Sequence, residues 1–163
     1  MISVRHCFLL IALACAGLIA TALYMEHVMG LVPCYLCIVQ RAFVILTGVI
    51  ALIAFLHNPA TTGVRVYGGL TALSAFTGSG FSIRQLWLQS LPEDQVPACG
   101  PSADYLMGSF SPAEWLPMLL RGDGNCAKVD WTFLGLSIAG WMLIMFVALG
   151  IFALWQVFRS HRP

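Results

Sequence analysis

Long apolar runs separated by short polar gaps dominate this chain. The first extends from about Cys7 to Tyr24 and the second from about Cys34 to Leu56, and neither contains an acid. The third covers about Val64 to Ile83 and the fourth about Phe133 to Phe158, where Arg159 closes it. At a rise of about 1.5 Å per residue, each run forms a helix able to cross a hydrocarbon core of about 30 Å. The pattern therefore predicts an all-α integral membrane protein: a single domain over 1–163 built as a four-transmembrane-helix bundle. The gaps become loops at about 25–33 and 89–131, with a short connection from His57 to Arg65 at the opposite end. Four crossings place both termini on one side.

Composition supports that reading, because 60% of the 163 residues are hydrophobic and 9% are charged. A water-soluble domain of this size could not cover so much apolar surface. The charges also orient the chain. Arg5, Arg65, Arg159 and Arg162 lie on the side of the termini with no acid among them, whereas all seven acids fall at the other side. The positive-inside rule then puts both termini in the cytoplasm and the two larger loops outside, which in a bacterium is the periplasm beyond the inner membrane. A net charge of +1 without a basic tract leaves no electrostatic footprint for nucleic acid. A cleaved signal peptide competes for the first run, since Arg5 precedes it and Ala20-Thr21-Ala22 resembles a cleavage site. That run is longer than a signal core, and removing it leaves an odd number of crossings. Ala12-Leu13-Ala14-Cys15 makes a poor lipoprotein signal.

The long loop is not featureless. Ser111-Pro112-Ala113-Glu114 reads as an N-cap, a proline at the first helical position and a capping-box acid, with Phe110 and Trp115 placed as a hydrophobic staple. The helix it starts is apolar but ends at Gly122, too short to span a bilayer. It is expected to lie on the outer membrane surface, with packing on the protein alone as the alternative.

Six cysteines punctuate this plan. Pro33-Cys34-Tyr35-Leu36-Cys37 opens the second run, so both thiols fall in one helical turn on one face. The positive end of the helix dipole favours a thiolate there, and hence redox exchange. Zinc would ask for two close-spaced cysteine motifs, whereas Cys99 and Cys126 are far apart, and haem attachment would need histidine where Ile38 stands. No metal is expected. Cys99 and Cys126 lie in the outer loop, where a disulfide is the default state. Pro97, Gly100 and Pro101 flank Cys99, and Gly122-Asp123-Gly124-Asn125 precedes Cys126, so the segment has the composition of a loop that moves. The loop alone leaves two readings open: a structural staple, or a mobile pair that meets a soluble partner and the Cys34/Cys37 pair in turn. Cys7 and Cys15, within the first run, read as small apolar packing residues.

Arg41 stands four residues after Cys37 on the same face, where a cation is costly. It either snorkels outward to headgroups or Glu26, or stabilises negative charge beside Cys37 on a thiolate or on a reduced acceptor. Arg84 and Gln85, at the outer end of the third run, are candidates for further hydrogen bonds to that acceptor, and Arg84 reads equally as an interfacial anchor.

These residues resemble the disulfide bond formation protein B family, DsbB, over nearly the whole chain. The likeness rests on Pro33-Cys34-Tyr35-Leu36-Cys37 with Gln40-Arg41, on Leu88-Gln89 and Pro92 before Cys99, on Glu114-Trp115-Leu116-Pro117, on Gly124-Asn125-Cys126 and on Trp131-Thr132-Phe133-Leu134-Gly135. The resemblance implies that a reduced DsbA-like thiol oxidase of the periplasm attacks Cys99, that Cys126 is released to engage Cys34, and that electrons reach Cys37. It further implies that Cys37, assisted by Arg41, delivers two electrons to ubiquinone or menaquinone. Some members of the family carry histidine where this chain has Gln85. An enzyme of the vitamin K epoxide reductase type shares the helices, cysteine pairs and quinone, but there the loop pair precedes the membrane-edge pair, the reverse of the order here. The remaining alternative is a non-enzymatic scaffold braced by two disulfides.

Overall fold

The computed structural model describes residues 3–159, and Arg162, counted above with the basic end, lies outside the described residues. Four long helices run alternately up and down: α1 (Val4–His27), α2 (Tyr35–His57), α3 (Thr61–Gln89) and α6 (Ile138–Arg159). Two short ones, α4 (Ala103–Ser109) and α5 (Pro112–Arg121), occupy the connection between α3 and α6. By length and composition α1, α2 and α6 can cross a membrane. The 29-residue α3 is longer still, but Gly, Ser and Thr dilute its apolar character.

That dilution has a packing reason. Small residues let helix backbones approach closely where lipid offers no hydrophobic drive for association. Along α3, Gly68 receives Val157 and Ala153 of α6, and Gly78 receives Phe146. The relation is reciprocated where Gly150 of α6 receives Phe76. Ser74 of α3 accepts a 2.9 Å hydrogen bond from Thr47 Oγ1 of α2. Leu13, Ile53, Leu73 and Ile151 stay exposed on the outside of the bundle, a distribution that suits hydrocarbon rather than water. We expect Gly78→Ala to lower stability by about 1–3 kcal/mol, because a Cβ there would stand 2.5 Å from the fully buried Phe146 ring. Gly69→Ala, with nothing within 4 Å, is the control. Equal unfolding midpoints in detergent would count against this packing.

Two boundaries differ from the sequence reading. α3 runs to Gln89, because no glycine or proline interrupts the chain after Ile83. α6 begins at Ile138 and not at Phe133. Thr132–Phe133 (β1) and Leu136–Ser137 (β2) instead pair antiparallel about Leu134 and Gly135, whose φ values of 51° and 79° belong to a tight hairpin turn. α5 carries the expected capping box, Ser111 with Glu114. Its Leu119 is buried against the protein while Leu116, Met118 and Leu120 remain exposed. α1 lies along α2 and meets α6 only sparsely, which leaves a cleft between α1 and α6.

A sulfur chain and cavity as the candidate active site

The chemistry gathers where α2 begins. Pro33 cannot donate a backbone hydrogen bond, and the helix starts just beyond it with Cys34 as N-cap in extended conformation. Cys37 occupies the third helical position, so its side chain folds back toward the cap, and the two sulfurs stand 3.0 Å apart. Facing them from α3 is Gln85, 4% exposed, whose Nε2 lies 3.4 Å from each sulfur. Gln85 Oε1 accepts a 2.8 Å hydrogen bond from Nε2 of Gln40, which is also buried.

A third sulfur joins from the long connection. Cys126 is fully buried among Tyr35, Leu36, Leu88, Leu106 and Leu119, and its side chain meets that of Cys34, which packs against the same cluster. This contact with Cys34 holds the Cys126 thiol below the usual thiol range, aided by backbone hydrogen bonds from Leu36 and Asp123, against burial and the Asp123 charge. The structure thus brings together Cys126, Cys34, Cys37 and Gln85. Cys99 is exposed, and all six cysteines are free thiols, so Cys99 and Cys126 are not joined here. Cys7 and Cys15 are buried in α1, the latter against Gly48.

The Cys99 segment lacks regular structure but is tied down by hydrogen bonds, which its loop-like Pro and Gly composition did not foretell. Asp123 Oδ2 accepts from the Gly100 N–H at 2.7 Å and from Asn125 Nδ2 at 2.7 Å. Its Oδ1 accepts from the Cys126 thiol at 3.6 Å. Tyr35 donates its hydroxyl to the Pro101 carbonyl, and the Gly124 N–H reaches the Ala98 carbonyl at 3.3 Å. Gly124 is also a point of close approach: a Cβ there would meet the Pro97 carbonyl oxygen at 2.3 Å and Cys99 Sγ at 3.2 Å.

Beside the sulfurs opens a cavity of about 1090 Å³ in which Cys34, Cys37, Gln40, Arg41 and Gln85 line one end. Leu18, Ile19, Trp141, Met142 and Met145 line its course between α1 and α6. Arg41 is ion-paired with Glu26 and donates to the Ala22 carbonyl at 3.2 Å, so the outward pairing named in the sequence reading is made, with the guanidinium still on the cavity wall. Arg84 stacks over Trp87 at 4.3 Å, an interfacial arrangement. Among the described residues no group of three or more His, Cys, Asp or Glu is placed to hold a metal.

Sequence reasoning gave no role to Gln40, Asp123 or Tyr35. Asp-Gly-Asn before Cys126 is an Asx-turn composition, which signals inward hydrogen bonding as well as flexibility. For Gln40, seven residues after Pro33 in an apolar helix, the signal was its own polarity.

Residues 4–156 match the model of the family described as disulfide bond formation protein DsbB. A protein of Saccharophagus degradans named disulfide bond formation protein B is 53% identical over 97% of this chain and 95% of its own length. Proteins of the same name from Marinobacter nauticus (98% of this chain and 95% of their chain) and Chromobacterium violaceum (97% and 95%) are 51% and 49% identical.

Proposed function

Because the chain belongs to the disulfide bond formation protein B family, a family of disulfide oxidoreductases, we propose that it reoxidises a soluble DsbA-like dithiol oxidase at the expense of a membrane quinone. The observation that carries this reading is the succession Cys126, Cys34, Cys37 ending on a cavity that also presents Arg41 and Gln85. α3 also crosses, bringing the crossings to four, the termini are cytoplasmic, and the single domain faces the periplasm of a bacterial inner membrane with its sulfur chain. The exposed side of α5 rests on the outer membrane surface.

In the resting oxidised enzyme Cys99 is bonded to Cys126 and Cys34 to Cys37. A thiolate of the partner attacks Cys99 Sγ, forming a mixed disulfide and expelling the Cys126 thiolate. Cys126 attacks Cys34, forming their disulfide and breaking the Cys34–Cys37 bond, which leaves Cys37 as thiolate. The partner's second thiolate then attacks its own bonded sulfur, releasing the partner oxidised and Cys99 free. Cys99 attacks Cys126 and restores their disulfide, so Cys34 and Cys37 hold the two electrons as a dithiol. Each exchange makes one S–S bond and breaks one.

The donor set and the shape of the cavity suit a quinone: hydrogen-bond donors at the sulfur end, apolar walls along α1 and α6. A bound ubiquinone or menaquinone supplies a two-electron, two-proton acceptor. The Cys37 thiolate stands at the polar end, Arg41 offers positive charge to an oxygen bearing developing negative charge, and the apolar walls exclude water. Arg41→Ala is expected to raise the quinone KM by about 10- to 100-fold, the worth of a charged hydrogen bond, with a smaller change in kcat. An unchanged KM would remove Arg41 from the quinone site.

Partner trapping tests the whole scheme. With a reduced DsbA-like partner whose second cysteine is replaced by serine, attack on the Cys99–Cys126 disulfide leaves the partner bonded to Cys99 while Cys126 passes on to Cys34, and with no partner thiol to release it the mixed disulfide should accumulate as a covalent adduct. Failure to form it, or its formation when Cys99 is also replaced, would overturn the proposed order.

A further inference from the structure

Two buried amides, Gln40 and Gln85, stand beside the sulfurs and take no part in the exchanges themselves. We infer that Gln40 is a positioning residue, fixing the Gln85 side chain with its N–H edge toward the Cys34 and Cys37 sulfurs as a donor that carries no titrating proton. The inference rests on the assignment of Cys37 as the thiol that delivers electrons.

An amide is two-faced: one edge donates and the other accepts, and the two are nearly the same shape. If Gln85 turned its oxygen to the sulfurs, it would present a lone pair to whichever cysteine becomes a thiolate, and the contact would repel. In the observed arrangement Gln40 Nε2 gives its hydrogen to Gln85 Oε1 at 2.8 Å, which draws the oxygen toward Gln40 and sets Nε2 at 3.4 Å from both sulfurs, nearer than Oε1, which stands 3.8 Å from Cys37 Sγ and accepts from it while that sulfur is protonated. Both side chains are at least nine-tenths buried, 2% and 4% exposed, so water does not compete strongly for these bonds. Gln40 reaches neither sulfur in any hydrogen bond of its own; it acts through Gln85.

The chemical consequence concerns pH. A histidine facing the same sulfurs would change charge near its ordinary pKa of about 6.5 and make the thiolate's stabilisation pH-dependent. Two carboxamides do not ionise in this range. The donor facing Cys37 therefore keeps its strength across the acid and neutral range, which leaves titration to the Cys37 thiol and its neighbour Cys34, 3.0 Å away, beside the fixed charge of Arg41.

The test uses the full-length protein in detergent, fully reduced, with iodoacetamide as the probe and mass spectrometry of the Cys37 peptide as the readout. Gln40→Met keeps the length and the burial but removes the clamp. Cys37 alkylation at pH 7 should slow by about 3- to 10-fold, the worth of one hydrogen bond, and Gln85→Met should slow it at least as much. A Gln40→Met rate within twofold of the parent, with Gln85→Met slowed, would show that Gln85 orients itself without Gln40. Unchanged rates in both variants would show that the amide does not act on the thiolate at all. Should Gln40→Met fail to fold, Gln40→Asn, one methylene shorter, asks the same question of the same rate. Gln85→His supplies a readout that packing alone would not move. Its alkylation profile should acquire a second inflection in the imidazole range, and a single thiol titration identical to the parent's would overturn the placement of residue 85 against the sulfurs. No quinone is present in these measurements, so a parent protein that reduced no quinone would sink the proposed function while leaving the Gln40 result to be judged separately.

Discussion

Cys37→Ser should reduce quinone turnover by about a thousandfold or more, the scale on which removing one member of a cooperating catalytic set is felt. A serine hydroxyl keeps the size of the thiol but can neither form a disulfide nor hand on a pair of electrons. The variant also isolates the preceding exchange. Cys34 then carries a thiol of its own, within hydrogen-bonding reach of Cys126. Attack by Cys34 on the Cys99–Cys126 disulfide makes a Cys34–Cys126 bond and frees Cys99, and peptide mapping without reductant should find that crosslink. Retained turnover would refute the assignment of Cys37. Absence of the crosslink would refute direct exchange between Cys34 and Cys126.

The second large effect belongs to a residue with no chemistry. Gly124→Val places a branched side chain where a Cβ alone would stand 2.3 Å from a backbone oxygen and 3.2 Å from Cys99 Sγ. Backbone cannot rotate away as a flexible side chain can, so the Cys99 segment must lift, at about 1–3 kcal/mol of local stability. Turnover with the protein partner should fall by about tenfold or more, the rate equivalent of roughly 1.4 kcal/mol. Oxidation of a small dithiol that reduces Cys34–Cys37 directly should stay near the parent rate, because that pair lies on α2. Gly108→Ala, in open space on α4, should change neither. Equal losses with both substrates would mean that Gly124 supports the whole fold and not the Cys99 segment.

What could be read from the sequence was whatever a local rule fixes. The α1, α2 and α6 runs are set by hydrophobic length, α5 by its Ser111–Glu114 box, and the Cys34–Cys37 face by helical spacing. The misses came where tertiary contact decides. Phe133 to Ser137 is as apolar as a helix start, and only Gly135, free to take positive φ, hinted at the hairpin. α4 is seven residues long, and its Ser102 cap has no strong periodicity behind it. The proximity of Cys126 to Cys34 joins positions 92 residues apart, and no spacing rule reaches so far. Gln85 was singled out for hydrogen bonding to an acceptor, yet its contacts in the fold are to the sulfurs and to Gln40, a partnership visible only once α2 and α3 lie side by side.

Asp123 grips the backbone beside one loop cysteine and the thiol of the other with a single carboxylate. The two thiols are thereby geared together: a pull on the surface segment by a docking protein is transmitted within one side chain's length to the interior sulfur. Docking and internal hand-over then cannot be tuned separately, and any change that slackens this link should blur the timing between them.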